Sequence, residues 1–419
     1  MNSLRALYPL AVALTVSGQV VAQEEATGEW EEWDNWEEGS AEEEKSLPLH
    51  GFLEQSWGQR TQTDPLLDDG TLADSRARLE WTPSAARVQF KLNGDLYYDG
   101  VTADWEAEVR EASALYSPAA NIDLKLGRQP LTWGTGDYLF INDQFAKDWQ
   151  SFFSGRDDEY LKAPQDALRA SWYGTGVNLE LVWMPRFTPD RSINGERFSF
   201  FSPQLGQQIA ADFSVDKPSA DEVAARVFWR RNSSEFALYG YQGYQGTPDM
   251  HPVAGPVHPR LNVWGGSLRR PLAGGLFNIE VGYLDNQYTP DQWRALVGYE
   301  RELITNLTAG GQLYLERYDS EPQPSQFATP PEYLPARSRS VVTTRLTYSA
   351  MRGTLIWSLF AFHSPSDRDG YLRPSVDWRY SDKWQWTLGG NLFYGREDYT
   401  FFGQFDRADN VYLRLKYSF

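Results

Sequence analysis

The chain has 419 residues, a formal net charge of −18 and an aromatic content of 15%, with 17 Trp and 23 Tyr. The acidic balance excludes nucleic acid as a partner, because nucleic-acid-binding proteins present basic faces. Cysteine is absent, which excludes disulfides, thiolate metal sites and a cysteine nucleophile. The mean hydropathy of −0.55, combined with so many aromatic residues, is typical of membrane-spanning strands, in which only every second residue is apolar. A large soluble β-sandwich or propeller is the alternative.

The N-terminal segment has the features of a secretory signal. Arg5 precedes an apolar run over residues 6–16, and Ala22 supplies a small residue for cleavage. The run is too short to span a bilayer. We predict a signal peptide over residues 1–22 and an exported mature chain that begins near Gln23.

Residues 23–46 form an acidic segment in which Lys45 is the only basic residue. This composition cannot bury a core, so we predict a disordered periplasmic tail. Its three tryptophans, Trp30, Trp33 and Trp36, follow one another at three-residue spacing. They predict a short helix that forms when a periplasmic protein partner binds, although a merely solvating tail remains the alternative.

Residues 47–419 alternate strand-like segments with short turns at one end and long polar loops at the other. In the predicted strand 88–98, for example, Val88, Phe90 and Leu92 alternate with polar residues. Glu111 breaks the pattern of 105–117, which a β-bulge would restore, while 260–270 and 354–363 carry apolar residues on both faces. The sequence therefore predicts an all-β, antiparallel up-and-down transmembrane barrel of about 18 strands, with 16 as the alternative. The predicted strands are 47–60, 75–82, 88–98, 105–117, 122–133, 167–174, 177–187, 223–231, 236–246, 260–270, 276–287, 292–303, 307–318, 338–350, 354–363, 371–380, 384–396 and 410–419.

The last strand alternates apolar and polar residues up to its end, where Tyr417 and Phe419 share the apolar face. This end resembles the assembly signal of Gram-negative outer-membrane β-barrels, whose final strand ends in Phe. The resemblance implies location in the outer membrane, with its lipids and the barrel-assembly machinery as partners.

The residues predicted to face the lumen are strongly charged. Acidic residues such as Glu180 and Glu280 are interleaved with basic ones. They either pair with one another and keep the lumen wet, or leave a basic wall that attracts anionic or hydroxyl-rich solutes. The predicted basic wall consists of Arg76, Arg78, Arg345, Arg373, Arg379, Arg414 and Lys416.

The most distinctive internal stretch is the loop from Asp137 to Asp166. It follows Gly127, Gly134 and Gly136, where the backbone can leave the wall. Its aromatic residues Phe145, Trp149, Phe152 and Phe153 have helical spacing and predict a short amphipathic helix against the inner wall. The placement is similar to the inward-folded constriction loop of general and substrate-specific porins, and alginate-export channels are similar in length and interior charge. The resemblance implies an acidic side formed by Asp137, Asp143, Asp148, Asp157, Asp158 and Glu159.

These features predict a porin-like channel for the diffusion of small hydrophilic solutes, including anionic ones. Export of an anionic polysaccharide, and a non-conducting scaffold for a periplasmic partner, are the alternatives. We predict no catalytic residue, no cofactor and no metal, since His251 and His258 lack a third ligand nearby.

Overall fold

A computed structural model describes residues 49–211 and 215–419. The predicted signal peptide and acidic tail, with Trp30, Trp33 and Trp36, lie outside the described residues. Among the residues described, no helix is long and apolar enough to cross a bilayer.

In the described part of the chain, eighteen strands form one closed antiparallel barrel, which confirms the predicted fold and the larger strand count. Each strand pairs with the next, and the last pairs with the first, so that Phe52 lies opposite Ser418 and Arg60 opposite Asn410. The strands are β1 Leu49–Arg60, β2 Asp74–Trp81, β3 Val88–Asp99, β4 Asp104–Ala119, β5 Ile122–Pro130, β6 Pro164–Tyr173, β7 Asn178–Met184, β8 Glu222–Arg231, β9 Ser234–Tyr244, β10 Arg260–Leu272, β11 Gly275–Asn286, β12 Gln292–Ile304, β13 Leu307–Tyr318, β14 Ser338–Ala350, β15 Leu355–Ser364, β16 Asp369–Arg379, β17 Trp384–Tyr394 and β18 Asn410–Ser418.

Alternate residues face opposite sides of the wall. In β1, Leu53 and Trp57 are about half exposed on the outside, whereas Glu54 and Ser56 are buried on the inside. A polypeptide with this pattern places an apolar exterior against lipid and polar groups in the interior.

The predicted bulge is confirmed at the centre of β4. Asn93 of β3 pairs with Glu111, whereas the next residue, Gly94, pairs with Val109, so Arg110 is the extra residue. The bulge turns Glu111 inward, where it binds Lys125 at 2.6 Å and Lys91 at 3.3 Å.

The two strands with apolar residues on both faces are β10 and β15. Their inward residues Leu261, Val263, Phe360 and Phe362 are almost fully buried. They pack in two apolar clusters inside the barrel, which also include aromatic residues of the loop between β5 and β6. The pattern is two-sided because that loop, rather than water, covers these strands.

The remaining elements lie in the connections. A helix, α1 Trp149–Ser154, and a 3₁₀ helix, Asp158–Leu161, belong to the loop between β5 and β6. The others are a four-residue helix Pro324–Phe327, the 3₁₀ helices Pro331–Tyr333, Met351–Gly353 and Gly403–Ala408, and the short strands Gly70–Leu72, Ser84–Ala85, Phe200–Ser202, Gln207–Ile209, Asp249–His251 and Gly255–Val257.

Candidate functional site

The chain leaves the barrel wall after Pro130 and returns at Pro164, and the segment between them, which we call the inner loop, lies inside the barrel. Gly134 has a left-handed backbone (φ 92°), and a Cβ there would come within 3.1 Å of the Glu280 carboxylate. A glycine therefore permits the close approach of the backbone to the wall.

Glu280 on β11 fixes this part of the inner loop. Its carboxylate accepts hydrogen bonds from the backbone N–H groups of Thr135 (2.6 Å) and Asn142 (3.0 Å). It also accepts them from the side chains of the same two residues, at 3.0 and 2.9 Å. Glu280 is only 1% exposed, so its charge is stabilised by these donors rather than by water.

Helix α1 holds the inner loop against β16 and β17. Asp148 caps it by accepting from the Ser151 backbone N–H at 2.8 Å. Phe153 packs against Tyr371 and Phe393, with ring centroids 5.5 Å apart in each case. The predicted amphipathic helix is therefore present over Trp149–Ser154, although Phe145 precedes it.

On both sides of α1, the inner loop brings carboxylates to basic side chains of the wall. Asp137 lies 3.5 Å from Arg345, Asp158 lies 2.5 Å from Arg373, and Glu159 lies 2.6 Å from Arg78. Asp157 lies 2.8 Å from Arg414 and 3.9 Å from Lys416. We call these four carboxylates and their basic partners the charged rim.

The carboxylates of the charged rim are more exposed than several of the guanidinium groups behind them. The side chains of Asp158 and Glu159 are 50% and 39% exposed, whereas those of Arg373 and Arg414 are 9% exposed. Burial alone would raise the pKa of Asp158, but Arg373 more than offsets this and lowers it below its usual value. The most exposed charges of the rim are therefore the carboxylates of Asp158 and Glu159, with Arg345 (32%) the most exposed of its basic groups.

Tyr138 connects the charged rim to the centre of the inner loop. Its hydroxyl donates to Asp158, and Arg373 Nη1 lies 3.3 Å from the same oxygen. Its ring packs edge-on against Phe360 at a centroid distance of 4.8 Å. Sequence reasoning missed this residue, since an isolated Tyr in a loop gives no signal of its position.

The predicted basic wall needs correction at Arg76 and Arg78. They are 3% and 2% exposed, because the inner loop covers them. Arg76 binds Asp95 at 2.7 Å, and Arg78 binds the same carboxylate at 2.6 Å. They hold the inner loop in place from beneath it, and Arg78 contributes to the charged rim only through its contact with Glu159.

The inner loop contributes its own cation to this buried network. Arg156 binds Asp74 at 2.7 Å and Asp99 at 3.0 Å. Asp99 also pairs with Arg197, from the long loop between β7 and β8. Sequence reasoning missed Arg156 and Arg197, because their partners lie far away in the chain.

Two residues of the predicted acidic side and one of the predicted basic wall do not lie in the charged rim. Asp143 is buried and binds Lys147 at 2.8 Å, and Asp148 caps α1 and lies 3.2 Å from Arg191. Both carboxylates are almost fully buried and bind groups of the loops themselves, so neither belongs to the charged rim. Arg379 lies at the turn end of β16, near Asp382. It is therefore not part of the charged rim.

The predicted assembly-signal residues lie at the seam of the barrel. The backbone N–H and carbonyl of Phe419 pair with Gly51, at 3.0 Å each. Tyr417 lies opposite Leu53 of β1. The Phe419 side chain is 48% exposed.

A cavity of about 660 Å³ lies between the inner loop and the loop ends of several strands. We call it the loop-end cavity. Tyr138 lines it, and so do residues of the long loops, such as Phe327 and Phe401. No group of described residues has the His, Cys, Asp and Glu side chains to hold a metal ion.

No protein-family model matches the sequence, and no curated protein does either. Solved structures do share the fold. Pseudomonas aeruginosa OccK2 (OpdF), solved in complex with glucuronate, is 11% identical with a TM-score of 0.54, and the match covers 88% of this chain and 97% of that one. Acinetobacter baumannii OccAB3 is 10% identical with a TM-score of 0.52, over 88% and 98%. P. aeruginosa OpdL is 10% identical with a TM-score of 0.53, over 89% and 98%. The resemblance to outer-membrane barrel channels is thus confirmed at the level of the fold.

Proposed function

We propose that this chain is an outer-membrane channel through which small hydrophilic solutes diffuse. The observation that carries the proposal is the charged rim: a closed eighteen-strand barrel holds a folded loop inside its lumen, with carboxylates facing arginines of the wall. A barrel of this size is wide enough for an aqueous channel. A loop that buried ion pairs hold against the wall narrows such a channel without blocking it.

The charged rim also decides which solutes pass. Opposite charges across a narrow passage create a field that orients dipolar molecules, whereas a wall of Arg alone favours anions. Because Asp158 and Glu159 are more exposed than Arg373 and Arg414, the rim presents both signs of charge with the acidic side foremost. This arrangement supports passage of neutral and dipolar solutes over a strict preference for anions.

Export of an anionic polysaccharide is the weaker alternative. Such a polymer needs a lumen that opens wide, whereas Arg78, Arg156 and Glu280 hold the inner loop at several points. A non-conducting scaffold needs no cavity or exposed charges within the barrel. Outer-membrane lipids, the assembly machinery and a periplasmic protein at the tail remain the proposed partners.

The first prediction tests the channel and its charged rim together. The purified protein should conduct ions in planar bilayers, and replacing Asp157, Asp158 and Glu159 by Asn, Asn and Gln should shift its reversal potential towards anions. The arginines then lose their counter-charges while the loop keeps its shape. Each partly exposed pair contributes about 0.2–1 kcal/mol, so we expect little change in the melting temperature.

A matched control is Glu300→Gln, which removes an exposed charge from the same barrel. It should change selectivity less than the triple variant does. If the protein conducts no ions, the non-conducting scaffold is favoured instead. If the triple variant conducts with unaltered selectivity, the charged rim lies outside the pore.

A further inference from the structure

The loop-end cavity has the size and lining of a small-molecule site. Its volume of about 660 Å³ lies within the roughly 300–1,000 Å³ of typical ligand pockets. Asp157, Asp158 and Arg414 of the charged rim do not line it, whereas Tyr138 lines it and also binds Asp158. A solute entering from the long loops therefore meets this cavity before the charged rim.

One side of the cavity gathers hydrogen-bonding groups of both kinds. Arg294 and Gln292 supply donors, and Asp249 and Glu316 supply acceptors. Arg294 Nε donates to Gln292 Oε1 at 2.7 Å, but its two Nη groups have no hydrogen-bond partner that the described residues provide. Asp249 Oδ1 accepts from Gln245 at 2.8 Å, which leaves its second oxygen available.

The charges of this side do not favour an anion. Lys147 is paired with Asp143 at 2.8 Å, and Arg339 lies 2.5 Å from Asp367 and 3.7 Å from Glu316. The charged side chains that line the whole cavity are four acidic ones, Asp143, Asp190, Asp249 and Glu316, and three basic ones, Lys147, Arg294 and Arg339. A carboxylate ligand would use the donors but would be repelled by the acidic groups, whereas a hydroxyl both donates and accepts and can use every group present.

Another side of the cavity is aromatic. Phe140 and Trp149 of the inner loop pack edge-on at a centroid distance of 6.0 Å, and both line the cavity. Phe401, which is 47% exposed, lines it from a different loop. Flat apolar rings offer a surface for the C–H face of a planar or puckered ring.

We propose that the loop-end cavity binds an uncharged carbohydrate ring. Aromatic side chains pack against the ring face, and Arg294, Gln292, Asp249 and Glu316 bind its hydroxyls. An aromatic solute would fill the apolar side but leave the donors and acceptors unpaired, which costs binding free energy. This inference rests on the proposed channel function and names the solute class that the channel selects.

The test uses the complete mature protein in planar bilayers, with three six-carbon probes added at the side of the long loops. Glucose is an uncharged ring, sorbitol is an uncharged open chain, and glucuronate is a ring that carries a carboxylate. Interruption of the ion current should be stronger with glucose than with either of the others. Trp149→Ala should weaken the effect of glucose roughly 3–10-fold and leave that of sorbitol nearly unchanged.

Trp149 is also the first residue of α1 and packs against Phe152 and Phe153, so its loss can displace the inner loop. Phe401→Ala therefore provides a second variant, because Phe401 lies outside the inner loop. It should also reduce the interruption of the ion current by glucose and leave that by sorbitol nearly unchanged. Arg294→Gln should reduce the interruption of the ion current by glucose and by sorbitol to the same extent. Trp264→Ala, at a lipid-facing position that is 53% exposed, is the matched tryptophan control and should keep the unmodified response.

The outcomes separate this inference from the channel function. A protein that conducts no ions would overturn both. Normal ion conductance with no preference for glucose over sorbitol would overturn the carbohydrate site alone, and so would a stronger effect of glucuronate. Unchanged glucose responses in both Trp149→Ala and Phe401→Ala would exclude the aromatic side as the contact surface.

Discussion

At the scale of single residues, the interior charges separate into two groups with different roles. Arg76 and Asp95 are nearly inaccessible and bind each other at 2.7 Å, so they position the inner loop. The side chains of Asp158 and Glu159 are 50% and 39% exposed, so they face the lumen. Residue type does not separate the two groups, because both consist of arginine–carboxylate pairs. Solvent exposure separates them.

Glu280 provides the prediction for the first group. Glu280→Gln keeps the size of the side chain but turns an N–H₂ group towards donors of Thr135 and Asn142. Leaving buried donors unpaired costs about 1–3 kcal/mol, so the denaturant midpoint of the folded barrel should fall. The ion current should also become noisier as the inner loop loosens. Glu300→Gln serves as the exposed control. An equal effect in both variants would show that the hydrogen bonds of Glu280 do not hold the inner loop.

At the scale of elements, the inner loop behaves as a folded unit with its own helix. Gly155 ends α1 in a left-handed conformation (φ 90°), and a Cβ there would come within 2.3 Å of the Tyr412 ring. The turn and the close approach both require glycine. Because the wall at this point is β18, the end of the helix is set by the last strand of the chain.

Replacing residues 138–160 by a short Gly-Ser linker tests the element as a whole. The single-channel conductance should rise, because the passage loses its narrowest part. Selectivity should move towards anions, because Arg373 and Arg414 lose the carboxylates of the inner loop while staying on the wall. Single-channel recording at two salt gradients measures both quantities. Unchanged conductance would show that the inner loop does not limit the flow.

At the scale of the whole molecule, stability depends on closure between β1 and β18. The pairing runs from Phe52 opposite Ser418 to Arg60 opposite Asn410, and Phe419 extends it to Gly51. A closed sheet leaves no edge to pair with another chain, and lipid offers no substitute partners for the backbone. The final strand therefore completes the barrel in addition to carrying the proposed assembly signal.

Phe419→Ala separates the two roles of the C-terminus, since it keeps the backbone hydrogen bonds to Gly51 and removes the aromatic ring. Purified protein should refold in detergent as before, because the exposed ring contributes little packing. The amount assembled in the outer membrane of cells should fall, which heat-modifiable migration on gels measures. Ser418→Ala is the neighbouring control. Equal assembly of both variants in cells would count against the signal.

The tail prediction also concerns the whole molecule. Removing residues 24–45 should leave folding and conductance intact and abolish co-purification of a periplasmic partner. Changing only Trp30, Trp33 and Trp36 to Ala should have the same effect, if those rings carry the contact. A shortened chain that fails to fold would instead make the tail part of the barrel.

The sequence by itself determined the barrel, because side chains alternate with period two wherever one face meets lipid and the other does not. Local rules also predicted the bulge at Glu111 and the helix around Trp149. Only the tertiary structure decided which charges meet. Asp158 and Arg373 are separated by about half of the chain, and alternation places Arg76, Arg78 and Arg414 on the same inner face. Whether an arginine lines the pore or lies under the inner loop depends on where that loop packs, and this is set by contacts such as Glu280 with Thr135 and Phe153 with Tyr371.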